Sequence, residues 1–160
     1  MERNELLALL NAVRAGDILP ETAAQRLERL PSFEDLGYAR VDHHRSLRQG
    51  AAEVIFGQGK TAEQIEGIVQ CMMDRGSRNI LITRLDAEKE AKFRGKFPYE
   101  YHSAPRLAIA NPAEHPQVGA IAVVSAGTSD LPVCEEAALT AEALGNKVYR
   151  IYDAGVAGLH

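Results

Sequence analysis

Val118-Gly-Ala-Ile-Ala-Val-Val124 runs without a charge into Ser125-Ala-Gly-Thr-Ser-Asp130, and Lys147-Val-Tyr-Arg-Ile-Tyr152 follows after a helical stretch. A continuous apolar run bounded by turn residues reads as a strand covered on both faces, as in a parallel sheet. Residues 131–144 read as the crossover helix, with Val133, Ala137, Ala141 and Leu144 as its inner stripe and Gly145 as its cap. The next strand spans 147–152 and ends in Asp153-Ala-Gly-Val-Ala-Gly-Leu-His160, a glycine-rich loop. In a parallel sheet such a loop feeds another helix and strand. The expectation is therefore the first β-α-β of a parallel-sheet domain whose remainder lies beyond residue 160.

Upstream, Asn111-Pro-Ala-Glu-His-Pro116 is turn-rich and marks the expected boundary. An N-terminal helical and α+β domain would span 1–115, and a partial nucleotide-binding domain 116–160. In the first part, 39–42, 53–56 and 79–83 are strand candidates, and 99–110 holds one or two more. Residues 61–74 form a helix with Ile65, Ile68, Val69 and Met72 inward, and 86–93 a second one. Leu6, Leu9, Leu10 and Val13 give a helical stripe that Gly16 stops. Pro20 then opens a helix with Ala24, Leu27 and Leu30 on one face, ended by Pro31. This acidic hairpin carries no chemical motif and suits packing or oligomerisation. The fold class is α/β: a helical hairpin and a small α+β lobe, followed by the opening of the parallel sheet.

Composition narrows the function classes. The 160 residues are 46% hydrophobic and 25% charged, with a net charge of −4. That excludes extended disorder and disfavours nonspecific nucleic-acid binding. No apolar run reaches the roughly 18 residues that span a bilayer, and the mixed-charge start is unlike a signal peptide. Two distant cysteines, Cys71 and Cys134, make neither a disulfide scaffold nor a zinc ribbon. The expectation is a soluble cytoplasmic protein with no nucleic-acid or membrane partner. Locally positive stretches at 37–60 and 75–96 suit a small anionic ligand, although 86–96 also reads as a solvated helix face.

Four segments are candidates for chemistry. In 125–130 the free N–H groups of a helix start meet Ser125, Gly127, Thr128, Ser129 and Asp130, an anion site at a strand's carboxyl end. Ser129 or Asp130 also reads as the helix N-cap, and the two roles are compatible. Asp153, Gly155 and Gly158 would line the same crevice from the next strand. Gly57-Gln-Gly-Lys-Thr61 is no P-loop, because Val54 stands where that motif needs glycine, and Thr61 with Gln64 forms a capping box. Lys60 remains a candidate for an anionic group. Arg40, Asp42 and Arg45 fall within six residues and suit a carboxylate or phosphate, but on composition a surface ion-pair cluster is the better account. Neighbouring His43 and His44 point to opposite faces of a strand, so no metal ligand set emerges.

Leu36-Gly-Tyr-Ala-Arg-Val-Asp-His-His-Arg-Ser-Leu-Arg-Gln-Gly50 and Glu53-Val-Ile-Phe-Gly-Gln-Gly-Lys-Thr61 resemble the N-terminal signature of the LarB family. Residues 118–132 are similar to the opening βα unit of PurE, the aminoimidazole ribonucleotide carboxylase/mutase, and LarB carries a PurE-like (flavodoxin-like) C-terminal domain. The resemblance implies pyridinium-3,5-biscarboxylic acid mononucleotide synthase activity, in nickel-pincer nucleotide cofactor biosynthesis. Such an enzyme carboxylates C5 of the pyridinium ring of nicotinic acid adenine dinucleotide with CO2 and hydrolyses the phosphoanhydride, releasing AMP. A cysteine thiolate that activates the ring is expected beyond residue 160, since neither Cys71 nor Cys134 matches its place. The chain alone is therefore expected to be inactive. The resemblance also implies a ribose-phosphate site at Thr128, Ser129 and Asp130, a homo-octamer, and no resident cofactor, with magnesium left open. A nucleotide-binding module without catalysis and a PurE-type carboxylase/mutase are the alternatives.

Overall fold

The leucine stripe near the start of the chain folds as expected. Helix α1 (Arg3–Ala15) half-buries Leu6, Leu9 and Val13, while Leu10 stays half exposed. Gly16 ends it at φ 82°, in the left-handed region where a Cβ is strained. Helix α2 (Pro20–Glu28) buries Ala23 and leaves the expected Ala24 exposed, and Leu30 lies outside the described residues. In this computed structural model, which describes residues 3–28, 33–43, 53–114 and 116–155, both helices belong to the first of two units, Met1–Glu53. The second unit is Val54–His160, and the expected 115/116 boundary falls within it.

The first unit also holds an antiparallel hairpin of β1 (Phe33–Asp35) and β2 (Arg40–Asp42), in the register Phe33↔Asp42. Three residues are too few to show alternation, so β1 is absent from the sequence expectation. Gly37 makes the turn at φ 80°, donating its N–H to Asp35 Oδ1 at 2.8 Å.

The second unit opens with β3 (Ile55–Phe56), α3 (Ala62–Asp74) and β4 (Ile80–Thr83), the two strands parallel. Thr61 caps α3 as expected: its hydroxyl accepts from the Gln64 N–H at 3.2 Å, and the Gln64 side chain accepts from the Thr61 N–H at 3.0 Å. The expected inward residues Ile65, Ile68, Val69 and Met72 are all buried. A short α4 (Ala87–Ala91) starts at its N-cap, Asp86, and leads to β5 (Tyr99–His102) and β6 (Leu107–Ala110). The sheet order is β3-β4-β6-β5, with β6 antiparallel to both neighbours. The stretch expected as a linker is stitched to this sheet. The Asn79 side chain donates to Ala113 O at 3.0 Å and accepts from the Ala113 N–H at 2.8 Å.

The β-α-β reading of the last third is correct: β7 (Gly119–Val124) and β8 (Asn146–Ile151) are parallel, and α5 (Leu131–Ala143) crosses between them. Its burial differs from expectation. The register pairs Val123 with Arg150 and Val124 with Ile151, so side chains alternate between two faces. Arg150 reaches Glu135 and Glu142 on α5, which identifies the covered face. On the other face, Val124 is 58% and Ile151 49% exposed. One helix covers one side of a two-stranded sheet, and no other described element covers the second. The strands buried on both faces are instead β4, whose Ile80, Leu81 and Ile82 are all buried, and β6, buried from Leu107 to Ala110.

The inner stripe of α5 is also corrected. Ala138 and Leu139 are buried, whereas Val133 is 63% and Leu144 42% exposed, and Ala137 is exposed too. The reason is a second partner. Leu139 joins Leu81, Leu107 and Ile109 in one core, so α5 turns that side chain toward β4 and β6 while also covering β7 and β8. Among the described residues no helix is long and apolar enough to cross a membrane.

Two outcomes are expected. Leu139→Ala empties the junction of α5 with β4 and β6 and lowers stability by about 2–4 kcal/mol in urea unfolding; a loss near zero would show that α5 is not anchored there. The second concerns Glu90, which is buried and accepts from Tyr99 Oη at 2.5 Å and from Arg94 Nη2 at 3.2 Å. These donors, Tyr99 first, hold its carboxyl below the ordinary value of 4.5. A depressed carboxylate stabilises the fold above its unfolded pKa, and that contribution is lost as pH falls through the folded value. Tyr99→Phe is thus expected to move the acid-unfolding midpoint to higher pH.

Candidate functional site

Three contacts fix the direction of α5 on the first sheet of the second unit. Asn79, just before β4, shares a cleft with Glu142 and Ala143 at the end of α5. Leu81 shares its core with Leu139. Arg84, just after β4, meets Glu136 with Nη2 and Oε2 3.5 Å apart. Residue numbers rise along β4 as they fall along α5, so the carboxyl end of β4 and the amino end of α5 lie on one side. β3 is parallel to β4, and α5 runs back between the parallel β7 and β8. The carboxyl ends of all four strands therefore form one rim, the place where α/β sheets bind ligands.

The segments 125–130 and 153–155 meet on that rim. The Ser125 N–H donates to Ile151 O at 3.1 Å, and the Ala154 N–H donates to Ser125 O at 2.9 Å. Thr128–Asp130 is a single 3-10 turn leading into α5, with Thr128, Ser129 and Asp130 exposed. The capping role offered for Ser129 or Asp130 is not observed: among the described residues no side chain caps either this turn or α5. The helix start is open to a ligand. Gly127 is extended at φ −128°, and an added Cβ would come no nearer than 3.8 Å to the Ser129 hydroxyl, so the protein itself does not demand glycine there. Asp153 and Gly155 hold positive φ of 56° and 67° in the facing loop. Gly158 and Arg45 lie outside the described residues.

Two hydroxyls lie beneath this rim. Ser125 is 7% exposed and its Oγ has no hydrogen bond among the described residues, while the Tyr152 phenol lies beside the Glu135 carboxylate. The β7–β8 register carried one residue further places Ser125 opposite Tyr152, so both project from the face that α5 covers. Burial, with the Glu135 carboxylate next, pushes the Tyr152 phenol up to about 12. The sequence reading finds Ser125 but passes over Tyr152, because the register that joins them is a pairing between distant strands.

Lys60 reaches the rim from the other βαβ unit. Its loop is tight: the Gly57 N–H donates to Thr83 O at 2.8 Å, and a Cβ on Gly57 would stand 2.9 Å from that oxygen. Lys60 is half-buried, and its side chain has no hydrogen bond or ion pair among the described residues. Arg40 is committed within its own hairpin, bonding Asp35 Oδ2 at 3.1 Å and lying over the Phe33 ring at 5.2 Å. Its partner, Asp35, is not one of the three clustered residues 40, 42 and 45. The Asp42 N–H donates to Glu53 Oε2 at 2.9 Å in the same unit. Cys71 is buried in α3 and Cys134 half-buried in α5. The cleft of about 560 Å³ beside Asn79 and Glu142 lies at the opposite end of β4 from the rim, and Glu100 and Glu114 also line it, a poor setting for phosphate.

Comparison with known proteins adds to this geometry. Residues 33–112 match the LarB/PurE-like N-terminal domain. An uncharacterized protein of Methanocaldococcus jannaschii is 29% identical over 160 residues, covering 95% of this chain and 62% of its own length. The chain thus spans less than two thirds of that relative.

For the buried phenol, the difference in phenolate absorbance between the unaltered protein and Tyr152→Phe is expected to titrate about two pH units above an ordinary tyrosine; an ordinary midpoint would contradict its burial beneath α5.

Proposed function

The chain belongs to the family with the LarB/PurE-like N-terminal domain, and on that premise we propose that it serves LarB-type chemistry on a pyridine nucleotide. The reaction is carboxylation of C5 of the pyridinium ring of nicotinic acid adenine dinucleotide with CO2, and hydrolysis of its phosphoanhydride to pyridinium-3,5-biscarboxylic acid mononucleotide and AMP. The observation that carries the reading is the turn 127–130, at the carboxyl ends of adjacent parallel strands, with the Ser125 hydroxyl, unpartnered among the described residues, behind it. A phosphate there receives backbone N–H groups and the positive end of the α5 dipole. Thr128 and Ser129 supply hydroxyls, Asp130 a ribose contact, and the 153–155 loop the facing wall.

The electron-poor ring cannot attack CO2 until a nucleophile adds to it. Thiolate addition forms a carbon–sulfur bond and makes C5 enamine-like. C5 then bonds to CO2 and loses its proton, and departure of the thiolate restores the ring. Cys71 is buried in α3 and Cys134 half-buried in α5, and we assign the thiolate to neither. A homo-oligomer of the octameric PurE-like kind accompanies this reading through the family resemblance.

Calorimetric titration tests the proposal. Nicotinic acid adenine dinucleotide is expected to bind, and Ser129→Ala combined with Thr128→Ala to weaken it roughly tenfold. Tighter binding of aminoimidazole ribonucleotide would point to a PurE-type purine enzyme instead. Formation of the biscarboxylated mononucleotide that persists in Cys71→Ala and Cys134→Ala would confirm that neither cysteine supplies the thiolate, and its loss in either would overturn that.

A further inference from the structure

Arg84 joins the two βαβ units at the rim. It leaves the carboxyl end of β4 with φ 54°, its side chain is 49% exposed, and its ion pair with Glu136 is loose at 3.5 Å. Glu136 lies five residues into α5 from Leu131, about 7.5 Å along the axis at 1.5 Å per residue. The guanidinium thus rests about one and a half helical turns from the amino end of α5, and a swing of its long side chain toward that end brings it to the turn 127–130. Lys60 stands on this rim at the end of β3, away from α5. Lys89 pairs with Asp86 at 3.3 Å and donates to Gly57 O at 3.2 Å. Asp130 is exposed at the turn and places a negative charge beside any phosphate there.

We propose that Arg84 is the second anion anchor of the site: with one phosphate in the turn 127–130, the other phosphate of a two-phosphate nucleotide is held by the Arg84 guanidinium. A planar fork matches phosphate oxygens two at a time, and a loosely held, half-exposed arginine has donors to offer. Glu136 keeps the side chain over α5 in the free protein. The proposal rests on the phosphate-turn reading and adds the feature that separates dinucleotides from mononucleotides.

The test titrates the 160-residue chain with nicotinic acid mononucleotide, which has one phosphate, and nicotinic acid adenine dinucleotide, which has two. Arg84→Gln is expected to weaken the dinucleotide roughly tenfold and leave the mononucleotide unchanged, with Arg84→Lys in between. Equal loss for both ligands, or no loss, overturns the role of Arg84 while leaving the turn intact. Failure of Ser129→Ala with Thr128→Ala to weaken either ligand overturns the phosphate turn instead, and absence of binding by the unaltered chain overturns both. Should Arg84→Gln not fold, Glu136→Gln decides, because it removes the partner and keeps the arginine. Its preference for the dinucleotide is expected to persist or grow, and loss of that preference sinks the proposal.

Discussion

The packing of Leu139 against Leu81, Leu107 and Ile109 is the contact on which the rest of the second unit depends. A two-stranded parallel sheet with one helix buries too little apolar surface to stand alone. Because α5 also rests on β4 and β6, the β7–α5–β8 unit borrows the core of the four-stranded sheet. The same contact sets direction. With α5 antiparallel to β4, the carboxyl ends of two separate parallel pairs share one rim, which neither unit would define alone.

Charge reinforces the arrangement. Helix α5 presents Glu135, Glu136 and Glu142, and each meets an arginine carried by a strand. Arg150 holds Glu135 and Glu142 from β8, and these carboxylates keep its guanidinium protonated against the cost of burial. Bidentate, partly buried pairs of this kind add geometric specificity that exposed pairs lack. The Arg84–Glu136 pair is single and longer, on the opposite sheet. The helix is pinned on one side by a strong pair and on the other by one that leaves donors free.

The local parts of this design are legible in the sequence. The capping box at Thr61 and Gln64, the inward Ile65, Ile68, Val69 and Met72, and the buried 79–83 strand all follow from spacing alone. So does the order strand, turn, helix, strand across 118–152, which places Ser125, Gly127 and Asp153 at carboxyl ends. What escapes is set by partners distant in sequence. The apolar run 118–124 carries the composition of a doubly covered strand, but only a neighbour decides which face is covered. Val133 and Leu144 fit a helix resting on one sheet, and the second sheet rotates the buried side to Ala138 and Leu139. Arg84 reads as one cation in a positive stretch until the ion pair with Glu136 places it against the amino-terminal half of α5.

Backbone strain sharpens the contrast between the two ends of β4. Asn79 and Asn111 take positive φ at one end, where asparagine is tolerated because its side chain can bond nearby backbone. Asn79 bonds Ala113 in both directions, and Asn111 bonds Ser77 O at 2.8 Å. Arg84 and Arg106 take the same conformation at the other end without that compensation, and the Leu85 N–H donates to Arg106 O at 2.7 Å between them. An arginine gains nothing locally from a left-handed backbone. Its conformation persists because surrounding contacts impose it, and here it lifts the Arg84 side chain off the strand toward α5. Such unrelieved strain concentrates where geometry serves binding. On this molecule it lies at the rim that gathers the turn 127–130, the 153–155 loop and Lys60, whereas the asparagine-relieved end faces an acidic cleft.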